Sequence, residues 1–360
     1  MLATLSHSSS TIPSTQFVHK PVIAAPARRK MQEFHKVEGI IEADNVEGRT
    51  SVVKNYHRYP LKFLTVDTAR RQTLAESRTA EEEDGAQQQR RRGPLAPIWV
   101  YAVTYGGGLV AGDDIGLKFT VRRDAALVLT TQASTKVYKS RSPGRSAQGE
   151  DGAAGHLVCH QTLAANVESG ALLAIVPHAV TCFADARYKQ RQVVRMEEGA
   201  NLILVDWLTS GRVARGEEWA FESYETTNDV LLDDQLLVRE AVRLSVNDGT
   251  PTIAEKMRGY NAMATILVVG PDVLAHARAI LEGINKLKVN KSKEARNHPP
   301  PRLLPLDAAS SSSSGHASSG DMVGVMVKIA AKKTSQVTDA IHEHFNGLWQ
   351  DALGNDPYRL

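Results

Sequence analysis

A mainly β protein, a stacked β scaffold finished by a small C-terminal α/β part with two helices, is what this 360-residue sequence predicts. Three observations lead there. A loose repeat of turn, alanine and aliphatic strand recurs at residues 124–130 (DAALVLT), 169–175 (SGALLAI) and 198–204 (EGANLIL). Apolar and polar residues alternate over much of residues 100–250, as half-buried strands require. Beyond residue 270 two segments take the apolar period of helices. In the repeat, Gly170 and Gly199 lie 29 apart and Ala125 and Gly170 lie 45 apart; the excess of 16 matches the Ser/Gly/Arg-rich stretch 140–155, which reads as an inserted loop. Self-similarity on this scale points to stacked supersecondary units.

Taken in order, residues 1–38 form a tail expected to be disordered. Its first 32 residues are rich in Ser, Thr, Pro and Ala, contain no acid and carry Arg28, Arg29 and Lys30 near their end. A transit peptide has a similar composition, but the apolar core of a secretory signal is missing. The body spans 39–285. Ile40, Ile41, Val46, Val52 and Val53 mark short strands, broken at Asp44-Asn45 and at Glu47-Gly48. In Tyr56-His57-Arg58-Tyr59-Pro60-Leu61-Lys62-Phe63-Leu64 the proline keeps Tyr59 extended and Leu61 and Phe63 alternate with Lys62, which reads as an edge strand. Residues 73–97, rich in Glu, Gln, Arg, Gly and Pro, are a surface insert.

The stretch 99–114 (WVYAVTYGGGLVAGDD) then bends the chain at Gly106, Gly107, Gly108 and Gly112. Gly107 and Gly112 have phosphate-loop spacing, yet Asp113 and Asp114 stand where Lys and Ser/Thr belong, and two carboxylates repel a triphosphate. The segment reads as a structural bend with a functional acidic tip in preference to a nucleotide site. Residues 156–163 and 191–196 are half-buried strands. In 219–246, turns are expected at Thr227-Asn228-Asp229 and at Asp233-Asp234, followed by a long strand over 236–246. Residues 264–270 form a buried strand, and Pro271 opens a helix whose apolar face is Val273, Leu274, Ala277, Ile280, Leu281 and Ile284. Residues 286–320, with a proline triplet and a serine tract, form a linker expected to be disordered. Residues 321–360 complete the same domain with a strand and a helix carrying Val337, Ala340, Ile341, Phe345, Leu348 and Trp349. The two strand–helix units resemble a small appendage on the β body.

Composition narrows the function. A net charge of +3 with interspersed signs, and Arg90, Arg91 and Arg92 placed directly after an acidic run, argue against a nucleic-acid surface. No apolar run is long enough to span a bilayer, so no membrane is expected. Two cysteines, Cys159 and Cys182, cannot frame a secreted fold and suit a reducing, cytoplasmic compartment. Cys159 and His160 are adjacent and face opposite sides of a strand, and His178 and Cys182 are separated by extended chain, so neither pair suits a structural zinc site. No nucleophile elbow occurs. Asp206, a charge in the apolar run LILVDW, needs a partner, for which Arg212 and Arg215 are the nearest candidates in sequence. The enzyme reading left by these residues is a metal-dependent hydrolase using Asp113 and Asp114.

Four segments carry a more specific signal: Tyr59-Pro60-Leu61-Lys62; residues 105–113 (YGGGLVAGD); residues 130–140 (TTQASTKVYKS); and Gly211-Arg212 followed by Gly216-Glu217. Together they resemble the urease accessory protein UreD family (UreH in some bacteria) over roughly Tyr56 to Val246, through the family-motif positions Tyr59, Pro60, Gly106, Gly107, Gly108, Gly112, Thr131, Gln132, Thr135, Lys136, Tyr138, Gly211, Arg212 and Gly216. The resemblance implies a largely β, helix-like stack of strands with two helices, and assembly rather than catalysis. It implies binding of apo-urease, of UreF and, within the complex, of the GTPase UreG, with nickel inserted into urease. It implies no tightly bound cofactor, nickel being carried transiently along an internal passage. The tail and the inserts depart from the bacterial pattern and suit a eukaryote-like member. Weak oxygen and imidazole ligands fit an exchangeable cargo, and Asp113, Asp114, His178, Asp206 and Glu217 are the expected path residues.

Overall fold

The computed structural model describes residues 36–67, 96–139, 157–289, 302–307 and 322–359. Its strands are β1 (Gly39–Val46), β2 (Arg49–His57), β3 (Leu61–Asp67), β4 (Ile98–Thr104), β5 (Asp114–Val121), β6 (Ala126–Thr131), β7 (Thr135–Val137), β8 (Cys159–Val167), β9 (Leu172–Ile175), β10 (Val180–Cys182), β11 (Arg187–Met196), β12 (Asn201–Thr209), β13 (Ser223–Leu232), β14 (Gln235–Ser245), β15 (Ala262–Val269), β16 (Arg302–Asp307) and β17 (Met322–Ala331). The helices are α1 (Ile253–Met257), α2 (Leu274–Val289) and α3 (Thr334–Leu348). A seven-stranded sheet runs β14-β13-β11-β8-β5-β1-β2; a ten-stranded sheet runs β16-β17-β15-β12-β9-β6-β4-β3, with β10 and β7 beside β12.

The sequence repeat is the corner between these sheets. β5 passes to β6, β8 to β9 and β11 to β12, and strands of successive coils pair in parallel. Each corner closes on an alanine N–H: Ala125 to Arg122 O, Ala171 to Glu168 O and Ala200 to Glu197 O, all 3.0 Å. The residue before each alanine is left-handed, Asp124 at φ 56°, Gly170 at 73° and Gly199 at 84°. Corners stack through Leu172 N–H to Ala125 O (2.9 Å) and Asn201 N–H to Ala171 O (2.8 Å). The alanines are buried, and a larger side chain would have no room between stacked turns.

One apolar core fills the space between the sheets, through residues such as Phe119, Leu173, Leu204 and Tyr224. A second lies on the outer face of the ten-stranded sheet, where α2 and α3 cover Ile203, Val205, Ile266 and Val327 with Ala277, Ile284, Ile341 and Phe345. β12 is therefore buried on both faces, which explains an apolar run interrupted within the strand only by Asp206. The expected helix faces are the ones that pack. The terminal strands form no appendage: β15 pairs antiparallel with β12, β17 with β15 and β16 with β17, so they extend the same sheet.

Several boundaries differ from expectation. β1 runs straight through Asp44-Asn45, because its pairing with β2 continues there and the Asn45 amide donates to Asp124 O (2.8 Å). β13 likewise runs through Thr227-Asn228-Asp229, whose polar groups find partners described below. Glu38, placed at the end of the tail, is buried and accepts from Gly116 N–H (2.8 Å) while pairing with Arg58. Within the expected linker, α2 continues to Val289 and residues 302–307 pair along β17 as β16. The inserts at 73–95 and 140–155, the tail to residue 35, and 290–301 and 308–320 lie outside the described residues. The edge-strand expectation for residues 56–64 holds from Leu61 on, in β3, which among the described strands pairs only with β4; Tyr56 and His57 instead end β2, and the chain turns before Leu61. No helix among the described residues is long and apolar enough to cross a membrane.

Candidate functional site

Strand parity builds a polar layer inside the sandwich. On β11 the outward row is Arg187, Lys189 and Arg191, so Tyr188, Gln190 and Gln192 face inward with Val194 and Met196. Gln192 stands opposite Asn228 of β13, and Asn228 opposite Glu240 of β14. In the facing sheet, Asp206 of β12 is opposite Thr265 of β15, and Thr265 opposite Lys328 of β17. Two contacts join these ladders across the core. The Asn228 amide donates to Asp206 Oδ2 (2.7 Å), and Lys328 Nζ donates to Glu240 Oε1 (2.9 Å). The Gln192 amide donates to Asn228 Oδ1 (2.9 Å), completing the row. Asp206 is not paired with Arg212 or Arg215 as its sequence neighbourhood suggested. β12 carries it away from that corner and points it between the sheets. Burial and the nearby Glu240 push the Asp206 carboxyl up to about 6, against the opposing pull of the Asn228 hydrogen bond and Lys328.

A cavity of about 50 Å³ lies beside this layer, lined on its polar side by Thr131, Thr135, His178, Gln161, Gln190, Gln192 and Asp206. The Tyr188 hydroxyl sits between Gln190 (2.7 Å) and Gln161 (2.9 Å). His178 is clamped by Thr131: its N–H donates to Thr131 Oγ1 (2.9 Å), and its ring Nδ1 lies 2.9 Å from Thr131 O. A carbonyl only accepts, so Nδ1 carries the proton and Nε2 keeps the free lone pair. Burial lowers the His178 pKa, the Thr131 contact opposing it, and the ring is neutral at pH 7. On the other side of Asp206 a cavity of about 10 Å³ is bounded also by Tyr224, Thr226 and Thr265. The buried Tyr224 hydroxyl has no hydrogen-bond partner among the described residues.

The sequence motifs, scattered along the chain, gather at one end of the sandwich. The glycine bend packs on β7: Leu109 N–H donates to Lys136 O (2.8 Å), Tyr138 N–H to Leu109 O (2.9 Å) and Tyr138 Oη to Gly106 O (3.2 Å). A Cβ on Gly108 would stand 2.5 Å from Lys136 O, so the close approach requires glycine. Tyr138 meets Phe183 edge-on at 5.2 Å, and the Arg212 guanidinium lies 4.0 Å over the Phe183 ring. Arg212 forks onto Glu217, whose carboxylate also accepts from Ala184 N–H (3.2 Å). Gly211, at φ 131°, would bring a Cβ to 2.7 Å from Glu217 O. Gly216 ends the short turn of Val213–Arg215 in the left-handed region. Tyr59 is 79% exposed, its ring 5.8 Å from that of Tyr105, next to Pro60; Gln132 and Lys136 are also exposed.

The five expected path residues are not brought together. His178 and Asp206 line the same cavity. Asp113 caps its own bend by accepting from Val110 N–H (2.8 Å), and Asp114 is exposed at the start of β5. Glu217 is held by Arg212. Cys159 is buried and His160 exposed, on opposite faces of β8; burial, then Asp113 and Asp114, push the Cys159 thiol up to about 12, and burial raises Cys182 as well. Among the described residues no group of three or more His, Cys, Asp or Glu is arranged to hold a metal ion. What the interior offers is isolated donors in sequence: an imidazole, amides, then a carboxylate.

As interior site residues Gln161, Gln190, Gln192, Asn228, Glu240 and Lys328 were not expected, Asn228 reading instead as part of a turn. Lys328 had a visible signal, the single charge in the apolar run MVGVMVKIAA. The glutamines sit on the same parity as Tyr188 and Val194, a cue only once the inward face of β11 is known.

Residues 38–360 match the family described as UreD urease accessory protein. The chain is 33% identical over 330 residues to urease accessory protein D of Arabidopsis thaliana, covering 89% of this chain and 99% of that protein. It is 32% identical over 329 residues to urease accessory protein D of Oryza sativa subsp. indica, covering 89% and 94%. It is 34% identical over 313 residues to urease accessory protein UreD of Sorangium cellulosum, covering 87% and 80%.

Proposed function

This chain belongs to the UreD urease accessory protein family, and from that premise we propose that it serves urease maturation as a nickel-insertion scaffold. In this reading it binds apo-urease together with UreF and the GTPase UreG in the cytoplasm, and it catalyses no reaction of its own. Nickel is its cargo, held transiently and never as a resident cofactor.

The observation that supports the reading is the interior cavity carrying His178 and Asp206. Neutral imidazole with a free Nε2, amide oxygens and one carboxylate are donors that a borderline divalent ion can exchange. A thiolate would hold it, and both cysteines are protonated and buried. Thr131 fixes the His178 tautomer by the kind of outer contact that orients metal-ligating histidines. Asp206 is ionised at pH 7 and therefore available as a donor. The motif end, with Tyr59 and Tyr105 exposed beside the glycine bend, suits a protein-binding surface.

Co-expression of urease subunits, UreF and UreG with and without this chain tests the proposal through urease activity and nickel content. His178→Ala and Asp206→Asn are expected to lower both while leaving partner pull-down intact. Activation that persists without the chain overturns the reading.

A further inference from the structure

A buried carboxylate pair lies past the interior cavity, and it holds a cation of its own. Asp206 and Glu240 are 8% and 3% exposed and are joined through one amide, Asn228 Nδ2, at 2.7 Å and 3.4 Å. The single ammonium set against the pair comes from Lys328, whose side chain is 38% exposed while that of Glu240 is 2% exposed. Lys328 reaches inward from β17, one strand in from the terminal strand β16 of its sheet, and bonds Glu240 at 2.9 Å while more than a third of its side chain stays in solvent. From His178 the polar groups run through the cavity to Asp206, Asn228, Glu240 and Lys328, and so to the surface. A second observation marks the spot as able to take a small polar guest. The Tyr224 hydroxyl, buried and without a partner, borders the small cavity against Asp206.

We infer that Lys328 is a tethered counter-cation that closes a second mouth of the interior path and prevents Asp206 and Glu240 from acting together as a divalent-cation trap. The inference rests on the nickel-conduit reading and adds to it a residue that governs release. Two carboxylates sharing one positive charge in a low-dielectric interior attract a divalent ion strongly. With the ammonium on Glu240, only Asp206 is left to the ion, and a single carboxylate lets it go. When the Lys328 side chain swings to solvent, Glu240 is uncovered and the mouth opens. No bond is made or broken; the step is an exchange of counter-ions.

The test is equilibrium dialysis of the full chain against nickel(II) ions alone, comparing wild type, Lys328→Met, Lys328→Arg and the double variant Glu240→Gln/Lys328→Met. Lys328→Met is expected to bind nickel about tenfold more tightly than wild type, since the carboxylate pair is then uncompensated. Lys328→Arg should stay at the wild-type level, and the double variant should return to it. Lys328→Gln, which keeps a hydrogen-bond donor for Glu240, supplies the same comparison if the Met variant does not fold by circular dichroism. A folded Lys328→Met or Lys328→Gln chain that binds no more tightly than wild type overturns the inference, as does tight binding that survives in the double variant. Reconstituted urease activation separates the two proposals. If urease matures without the chain, the conduit reading fails, whereas the binding comparison judges Lys328 by itself.

Discussion

Asp206→Asn should stabilise this protein while disabling it. The carboxyl moves from 3.8 to about 6 because burial and Glu240 disfavour its charge. Its folded pKa lies above its unfolded one, so between these values the native state binds more protons than the unfolded chain. The stability contributed by the group is full below about pH 3.8 and is lost as pH rises through about 6. At pH 7 the ionised carboxylate costs about 3 kcal/mol, at 1.36 kcal/mol for each pH unit of displacement. An asparagine keeps the shape and removes the charge. Its oxygen can still accept from Asn228, and its NH2 group faces the cavity where the Tyr224 oxygen lacks a partner. Part of the gain is lost in satisfying that amide, which leaves a net stabilisation of about 1–3 kcal/mol. Urea unfolding followed by circular dichroism over a pH series measures it. The gap between variant and wild type should be widest near pH 7 and shrink steadily as pH falls below 6. A variant no more stable than wild type at pH 7, or a gap that ignores pH, would refute the account of the buried carboxylate.

Other expectations follow from the same geometry. Gly108→Ala drives a Cβ against Lys136 O and should cost about 1–3 kcal/mol, read as a lower urea midpoint together with weaker partner pull-down. His178 has a depressed folded pKa, so its contribution to stability is present above about 6.5 and is lost as pH falls below it; His178→Gln should flatten that acid limb in the same unfolding series. Cys159 and Cys182 should resist a thiol reagent at pH 8 in the native chain and react together in urea; rapid native labelling would contradict their burial. Phe345→Ala should cost about 3–5 kcal/mol, because its ring is fully buried under α3 against Trp349, and calorimetry reads the loss.

Local chemistry was enough to place many pieces in this chain. The corner at Asp124, Gly170 and Gly199 needs a left-handed residue and then a small one, whatever surrounds it, so the repeat was visible as text and proved to be the repeating unit of the stack. The helix faces of Ala277 to Ile284 and Val337 to Leu348 were legible for the same reason, since a period is a local property. The family motifs were legible too, and Gly108 and Gly211 show why their glycines resist replacement. The interior site was different. Asp206 stood out as a charge in an apolar strand, yet its partners lie on β13, β14 and β17, tens of residues away, and no residue near it in sequence hints at them. Thr227-Asn228-Asp229 looked like a turn because polar residues are unfavourable in a buried strand. Only the tertiary arrangement, with Asp206 of the facing sheet and Gln192 of neighbouring β11 for Asn228, and Arg239 of neighbouring β14 for Asp229, satisfies them there. Periodicity is written in the chain itself, whereas which polar side chains meet across ten ångströms of core depends on how two sheets are laid face to face.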